Sequence, residues 1–203
     1  MALFTSEKNN TPIKLALTDA EITYYPSFFS SEEASEYFKI LLNQIEWQQD
    51  DIKVFGKIYK QPRLTALYGI NDAPYRYSGI TMFPKPFNSV LKEIKTRIEE
   101  ITNVKFTTVL LNYYRDGSDS NGWHSDDEKE LGQNPVIVSI SLGAERTFRL
   151  RHKKDKTKKK NLTLQHGSLL LMAGETQHHW QHCIPKSKKD IKPRINLTFR
   201  VIK

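Results

Sequence analysis

The chain contains little cysteine and no long apolar segment. The single cysteine among its 203 residues, Cys183, excludes an intrachain disulfide, which fits a reducing compartment. No apolar stretch approaches the roughly 20 residues that a membrane-spanning helix needs. Residues 1–10 are polar and lack the apolar core of a secretory signal. We therefore expect a protein without a membrane partner, cytoplasmic in a bacterial type of cell, or nuclear if the source is eukaryotic.

Acidic residues are in the minority. There are 23 Asp and Glu against 31 Lys and Arg, which gives a formal charge of +8. An excess of this size also serves solubility, but it favours an acidic partner, of which nucleic acid is the commonest. The basic residues are concentrated in residues 151–160 and 186–192. The first segment has the composition of a solvated loop, and the presence of two such segments favours contact with phosphates.

The sequence changes from helical to strand patterns along one domain, predicted to cover residues 1–203. Residues 1–18 are expected to form a loose lead-in. A capping box at Ser30 and Glu33 begins one helix, and a second helix is predicted over 86–100, with Ile101 in its buried stripe. Short strands joined by turns follow over 103–202, which is typical of a sandwich or jelly roll. The fold class is therefore α+β, with helices outside a barrel. Strands are predicted at 106–114, 136–142, 146–151, 162–164, 168–172, 179–183 and 194–202.

The last of these strands has one polar face. Its apolar and polar residues alternate with a period of two, which predicts a strand. Arg194, Asn196, Thr198 and Arg200 therefore project from the same side. A guanidinium binds a carboxylate through two parallel hydrogen bonds, so this face suits a ligand that carries carboxylates.

Two histidines and one carboxylate are present in a pattern that suits a metal. His124 and Asp126 are two residues apart, so in an extended segment both side chains point the same way. The third ligand could be His178, His179 or His182, and we choose His182 because the chain continues from it as a strand. Such a set holds non-haem Fe(II) and leaves positions for oxygen and an organic co-substrate. Each part alone is explained equally well by a turn or a packed histidine; the combination is more specific.

Six segments, in this order, resemble the AlkB family of iron- and 2-oxoglutarate-dependent dioxygenases, and the resemblance covers roughly residues 50–202. They are NYYRDG at 112–117, WHSDDE at 123–128, SISLG at 139–143, HGSLL at 166–170, HWQH at 179–182 and PRINLTFR at 193–200. The segments VFGK at 54–57, PR at 62–63, YRYSG at 75–79 and PKP at 84–86 are further similar to the branch that repairs alkylated double-stranded DNA.

The resemblance implies a jelly-roll barrel, a double-stranded β-helix, over 103–202, with Fe(II), 2-oxoglutarate and O2 as its cofactors. It implies His124, Asp126 and His182 as iron ligands. Arg194 would pair with the distal carboxylate of 2-oxoglutarate and Arg200 with its iron-chelating end. The full set of co-substrate contacts expected is Asn112, Tyr114, Arg194, Asn196 and Arg200. No side chain is expected to act as a general acid or base, because the chemistry takes place at the iron.

A base inside a duplex has to be flipped out to reach such an iron. The resemblance implies that residues 50–84 form a nucleotide-recognition lid. In it, Phe55 would fill the gap in the duplex; the alternative is a core aromatic. The remaining substrate contacts expected are Arg63 on the opposite strand, Tyr75, Tyr77 and Ser78 around the flipped base, and Glu128 on its exocyclic nitrogen. The branch commonly has Phe where Tyr77 stands.

The sequence thus predicts a monomeric enzyme that oxidatively demethylates N-alkylated bases in DNA, such as 1-methyladenine and 3-methylcytosine. The oxidised methyl group would leave as formaldehyde, which is direct-reversal repair with base flipping, on double-stranded DNA. An RNA demethylase of the same family is one alternative. A non-catalytic nucleic-acid-binding module is another, against which the complete ligand set argues.

Overall fold

A computed structural model describes residues 11–54, 56–71, 75–77 and 80–202 of the chain. Within these ranges the helices are α1 (Ser31–Gln44), α2 (Ser89–Thr102) and the short α3 (Thr176–His179), with a 3-10 turn at Lys129–Leu131. The strands are β1 (Ile13–Lys14), β2 (Glu21–Tyr25), β3 (Asp51–Val54), β4 (Lys57–Lys60), β5 (Leu64–Gly69), β6 (Tyr75–Tyr77), β7 (Ile80–Met82), β8 (Lys85–Pro86), β9 (Thr108–Tyr114), β10 (Asn121–His124), β11 (Ile137–Gly143), β12 (Arg146–His152), β13 (Lys159–Leu164), β14 (Ser168–Ala173), β15 (Trp180–Ile184) and β16 (Arg194–Arg200).

Two sheets form the jelly roll that the sequence predicts. The large sheet has the order β1-β2-β14-β11-β16-β9-β5-β8, and the small sheet has the order β10-β15-β12-β13. Strand β16 lies in the middle of the large sheet, antiparallel to both β11 and β9. The hairpins β3–β4 and β6–β7 pair apart from both sheets, within the segment expected to form the lid. The α+β jelly-roll prediction is confirmed.

The helices begin at side-chain caps and cover the large sheet. The predicted capping box is present, because the Ser30 hydroxyl accepts from the Glu33 N–H and the Glu33 carboxylate accepts from the Ser30 N–H. Helix α2 starts later than predicted, at Ser89 after an Asn88 cap, because Pro86 is part of β8. The prediction that Ile101 is buried is wrong: it is 43% exposed, in the last turn of α2.

Residues 11–18 are described as paired with the rest of the fold, whereas the sequence analysis expects a loose lead-in over residues 1–18. Strand β1 pairs with β2, and the Trp180 indole N–H donates a hydrogen bond to the Thr18 carbonyl at 2.9 Å. Strand β15 begins one residue later than predicted, because His179 ends α3. None of the helices in the described ranges is long and apolar enough to cross a membrane.

The core is divided by the large sheet. One apolar cluster lies between that sheet and the helices and includes Leu41, Ile94 and Leu197. The other includes Phe148 and Trp180 of the small sheet together with Ile137 of the large one. Since β16 borders the first cluster with its apolar side chains, its polar face is directed to the space between the sheets.

Candidate metal and co-substrate site

Two histidines of the predicted metal site face each other across a strand pair. His124 at the end of β10 is the direct antiparallel partner of His182 in β15. Asp126 follows two residues after His124, beyond the end of β10. The His124 Nε2 atom is 3.9 Å from one Asp126 carboxylate oxygen, and the His182 Nε2 atom is 3.8 Å from the other. The structure therefore brings together the three residues that the sequence analysis selects.

Protonation at this cluster suits a divalent metal ion. The Gly122 carbonyl accepts a hydrogen bond from His124 Nδ1 at 2.8 Å, so the Nε2 atom keeps its lone pair. Burial lowers the pKa of His182 to about 3 and lowers the pKa of His124 as well. Burial opposes ionisation of Asp126, but the Arg200 guanidinium holds the pKa of that carboxyl below its usual range. Two neutral imidazoles and one carboxylate are the donor set that Fe(II) takes in oxygenases, so the residues fit the metal.

A second cluster, formed by Asp19, His152 and His179, has similar residue types but different chemistry. The backbone N–H of Asp155 donates to His152 Nδ1 at 3.0 Å, so in the neutral ring the hydrogen is on Nε2. That Nε2 atom lies 3.4 Å from the Asp19 carboxylate. A ring nitrogen that carries hydrogen cannot bind a metal, so this cluster suits a neutral imidazole beside a carboxylate rather than a metal ion.

Arg194 supplies a buried cation at the same cavity. Its side chain is 1% exposed and donates one hydrogen bond, from Nη2 to the Ser141 hydroxyl at 2.9 Å. The Nε and Nη1 atoms have no hydrogen-bond partner among the residues that the structure describes. Burial lowers the pKa of Arg194 to about 10, still far above neutrality. Arg194 and the three metal-site residues line one cavity. A buried cation with donors to spare fits the carboxylate of an organic ligand.

The other residues expected at the co-substrate divide into two groups. Tyr114, Asn196 and Arg200 line the cavity. Arg200 also donates a hydrogen bond to Asp126 at 2.5 Å, so it contacts the metal site directly. Asn112 is not among the residues that line this cavity; its side-chain oxygen accepts a hydrogen bond from Arg63 Nε at 2.6 Å. Asn112 is the direct cross-strand partner of the cavity residue Asn196, and its contact with the co-substrate stays a prediction.

Two polar residues of the cavity, Ser139 and Asn121, are not among the residues predicted from the sequence. Ser139 lines the cavity and accepts from the Asn196 amide at 2.7 Å, and Asn121 lies beside His124. Ser139 and Ser141 alternate with apolar residues in β11, and their partners on β16 are Thr198 and Asn196. That period-two pattern of small polar residues was the signal that could have identified Ser139.

The structure gives Arg63 contacts within the protein, and the expected contact with the opposite strand of a duplex stays a prediction. Its side chain is 3% exposed, and besides Asn112 it donates to the Ser120 carbonyl at 3.1 Å. Arg63 fastens the start of β5 to β9 and to the loop before β10.

The remaining residues expected to contact the substrate are Phe55, Tyr75, Tyr77, Ser78 and Glu128. Glu128 is half-buried, and burial raises the pKa of its carboxyl. Phe55 and Ser78 lie outside the described residues. Tyr75 and Tyr77 belong to β6, of which the backbone is described. Their roles around a flipped base stay predictions.

Comparisons with known proteins agree with this geometry. The family model of the 2OG-Fe(II) oxygenase superfamily matches residues 21–200. "Alpha-ketoglutarate-dependent dioxygenase alkB homolog 3" from Homo sapiens is 43% identical over 192 residues, which are 90% of this chain and 66% of the relative. "DNA oxidative demethylase ALKBH2" from Homo sapiens is 41% identical over 188 residues, covering 88% of this chain and 72% of the relative.

The chain thus spans just under two thirds of the length of the first of these relatives. Among solved structures, that of OsALKBH1 aligns with a TM-score of 0.65 and 16% identity, over 94% of this chain and 100% of the other. At that identity the likeness concerns the fold alone.

Proposed function

We propose that this chain, which belongs to the 2OG-Fe(II) oxygenase superfamily and within it to the AlkB family, oxidatively demethylates N-alkylated bases in DNA. The family uses Fe(II), 2-oxoglutarate and O2, and the donor set at His124, Asp126 and His182 fits the iron. The substrates that we propose are 1-methyladenine and 3-methylcytosine, repaired by direct reversal.

One observation carries this proposal. The three metal-binding side chains and the buried Arg194 line a single cavity between the two sheets. A 2-oxo acid that chelates a metal at one end needs a cation at its distal carboxylate, and Arg194 meets that need from a rigid strand. A binding module that had lost catalysis would have no use for both halves of this arrangement.

The protein side chains bind and orient the metal and the co-substrate, and they keep water away from both. When bound, the iron supplies the oxidation chemistry of the family, in which 2-oxoglutarate and O2 are consumed. Arg194 anchors the far end of the co-substrate, and Arg200 holds the Asp126 carboxylate in place. Phe148 stacks on the His182 ring with centroids 5.0 Å apart and lines the apolar side of the cavity. That packing fixes the ring and excludes water.

Charge supports nucleic acid as the substrate. The chain carries +8, and Lys186, Lys188, Lys189 and Lys192 are exposed on the loop between β15 and β16. Ile184 and Arg194, which flank this loop, line the cavity, and the Ser187 N–H donates to the Gly117 carbonyl of the β9–β10 loop at 2.7 Å. Exposed lysines beside the site suit phosphate contacts that do not depend on base sequence. A base in a duplex would have to be flipped out of the stack to enter this cavity.

The test is a turnover assay on a matched set of substrates. Purified protein is incubated with Fe(II), 2-oxoglutarate and oligonucleotides that carry 1-methyladenine or 3-methylcytosine, as single- and double-stranded DNA and as RNA. Base masses and released formaldehyde are measured, with Asp126→Ala as the inactive control. We expect demethylation of DNA. Activity on RNA alone would replace the DNA substrate by RNA, and binding without turnover of any substrate would favour a non-catalytic module.

We further propose that the enzyme acts as a monomer, in the cytoplasm of a bacterial cell or the nucleus of a eukaryotic one. The single cysteine and the basic surface support this placement. Sedimentation of the purified protein would test the monomer, and imaging of a tagged chain in its source cell would test the location.

A further inference from the structure

The small sheet carries a second depression, separate from the cavity that holds the metal-site residues. The residues that line it include Trp123, Arg149, Arg151, Lys159, Lys160 and Asn161, and we call this surface the Trp123 face. His124 and His182 line the metal-site cavity, whereas the adjacent Trp123 lines this depression. Successive side chains of a strand point to opposite sides, so the Trp123 face is the outer side of the sheet.

The tryptophan of this face is accessible to solvent. Trp123 is 38% exposed, whereas Trp180 is 1% exposed. The Arg151 guanidinium carbon lies 4.1 Å from the centroid of the Trp123 ring. Two N–H groups of Arg151 donate to the Gln181 amide oxygen, at 3.0 and 2.9 Å, which fixes the guanidinium over the ring. The result is a preorganised aromatic and cationic pair at the surface.

Charges around this pair are of one sign. Four basic residues and no carboxylate are among the residues that line the depression. Arg151 is the direct cross-strand partner of Lys159, and Lys160 follows in the same strand. Like charges placed opposite each other in a sheet destabilise it. An anionic ligand at this face would offset that repulsion.

We propose that the Trp123 face binds a single-stranded segment of nucleic acid, with a base stacked on Trp123 and phosphates at Arg149, Lys159 and Lys160. An aromatic ring beside a basic groove is the arrangement that binds single strands without sequence preference. A paired base inside a duplex has no face open to such a ring. The inference rests on the proposed function only in taking nucleic acid as the ligand, and its test measures binding rather than turnover.

The experiment uses an unmethylated, fluorescein-labelled oligothymidine of about 12 nucleotides and the full chain. Anisotropy gives affinity at several salt concentrations, and quenching of tryptophan fluorescence reports stacking. We expect Trp123→Ala to weaken binding roughly tenfold or more and to remove most of the quenching. Trp123→Phe should retain much of both, since its ring still stacks.

The contribution of positive charge to binding is tested with two matched pairs of lysine substitutions. The double variant Lys159→Ala with Lys160→Ala should lower the slope of log affinity against log salt by about 0.7 for each phosphate that the protein no longer neutralises. The control is Lys39→Ala with Lys92→Ala, two exposed lysines on α1 and α2, which should leave the slope unchanged. Because Trp123 is next to His124, Arg149→Glu serves as a second variant whose backbone is in β12.

Trp123→Ala and Arg149→Glu proteins that bind the oligonucleotide as tightly as the unsubstituted chain would overturn the inference. Its failure can be told apart from failure of the proposed function. Loss of binding in these variants, in a protein that demethylates no substrate, would support the inference and sink the proposed function. If the variants bind normally and the unsubstituted chain demethylates DNA, the inference fails and the proposed function is supported.

Discussion

Arg200 donates a hydrogen bond to Asp126 across 74 residues of sequence, and both side chains are almost fully buried. The carboxylate proposed as an iron ligand is therefore oriented by a cation from β16. The resemblance to the AlkB family implies that Arg200 holds the chelating end of 2-oxoglutarate. The geometry indicates a positioning residue for the metal site, and the two roles can be separated by experiment.

We expect Arg200→Ala to weaken metal binding about 10- to 100-fold even without 2-oxoglutarate, which is the usual cost of losing a partner of a metal ligand. Mn(II) is a convenient probe, because electron paramagnetic resonance measures the free ion. Arg194→Ala is the matched control and should bind Mn(II) normally. If Arg200→Ala keeps its Mn(II) affinity and loses only 2-oxoglutarate binding, the role inferred from the sequence is the right one.

The metal ligands themselves should be distinguishable from the neighbouring histidines. His124→Ala, Asp126→Ala and His182→Ala should each abolish turnover and bind Mn(II) poorly, while circular dichroism shows a folded chain. His179→Ala is the control, since that ring is paired with Glu175 at 3.3 Å in the second cluster. A fully active His182→Ala together with an inactive His179→Ala would show that the wrong third ligand had been chosen.

Much of this site could be predicted because its chemistry follows local patterns. The period-two alternation in β16 gave the polar face, and the spacing of His124 and Asp126 gave two ligands. The placement of Arg63 could not be predicted, because it depends on partners 49 and 57 residues away. The start of α2 was missed for a related reason, since Pro86 is held in β8 by pairing with β5. Local sequence carries little information about such tertiary contacts.

The buried position of Arg194 leads to a prediction about the co-substrate. Removing one partner of a buried ion pair costs about 3–5 kcal/mol, so Arg194→Ala should raise the 2-oxoglutarate concentration required for half-maximal turnover by more than a hundredfold. Arg194→Lys should recover only part of the loss, because an ammonium lacks the planar pair of donors. Calorimetric titration of the Mn(II)-loaded protein gives the affinity directly. An unchanged affinity in Arg194→Ala would remove Arg194 from the co-substrate site.

The structural role that these contacts give Arg63 is testable through stability. Arg63→Ala would leave the Asn112 oxygen and the Ser120 carbonyl without this donor, and a buried unsatisfied group costs about 1–3 kcal/mol. For a chain of this size each kcal/mol lowers the melting temperature by about 2–4 °C. The control Lys60→Ala replaces an exposed residue three positions earlier and should leave the melting temperature nearly unchanged. An unaltered melting temperature together with weaker DNA binding would support the contact expected from the sequence.

The last prediction concerns the choice between duplex and single-stranded DNA. In the β3–β4 hairpin, Val54 pairs with Lys57, and Gly56 has a φ of +80°, which suits a tight turn. In the sequence Phe55 stands between Val54 and Gly56. A base flipped out of a duplex leaves a gap, and an apolar ring that fills it offsets part of the few kcal/mol spent on unstacking. A single strand has no such gap.

We therefore expect Phe55→Ala to lose most activity on methylated duplex DNA and to keep most activity on the same sequence as a single strand. Ile58→Ala is the matched control, because Ile58 is an apolar residue of the same hairpin and is 71% exposed; it should not separate the two substrates. Rates of demethylation on paired duplex and single-strand substrates give the comparison, and thermal unfolding checks the fold. Equal losses on both substrates with a lowered melting temperature would show Phe55 to be a core aromatic, and the ground for preferring a duplex substrate would be gone.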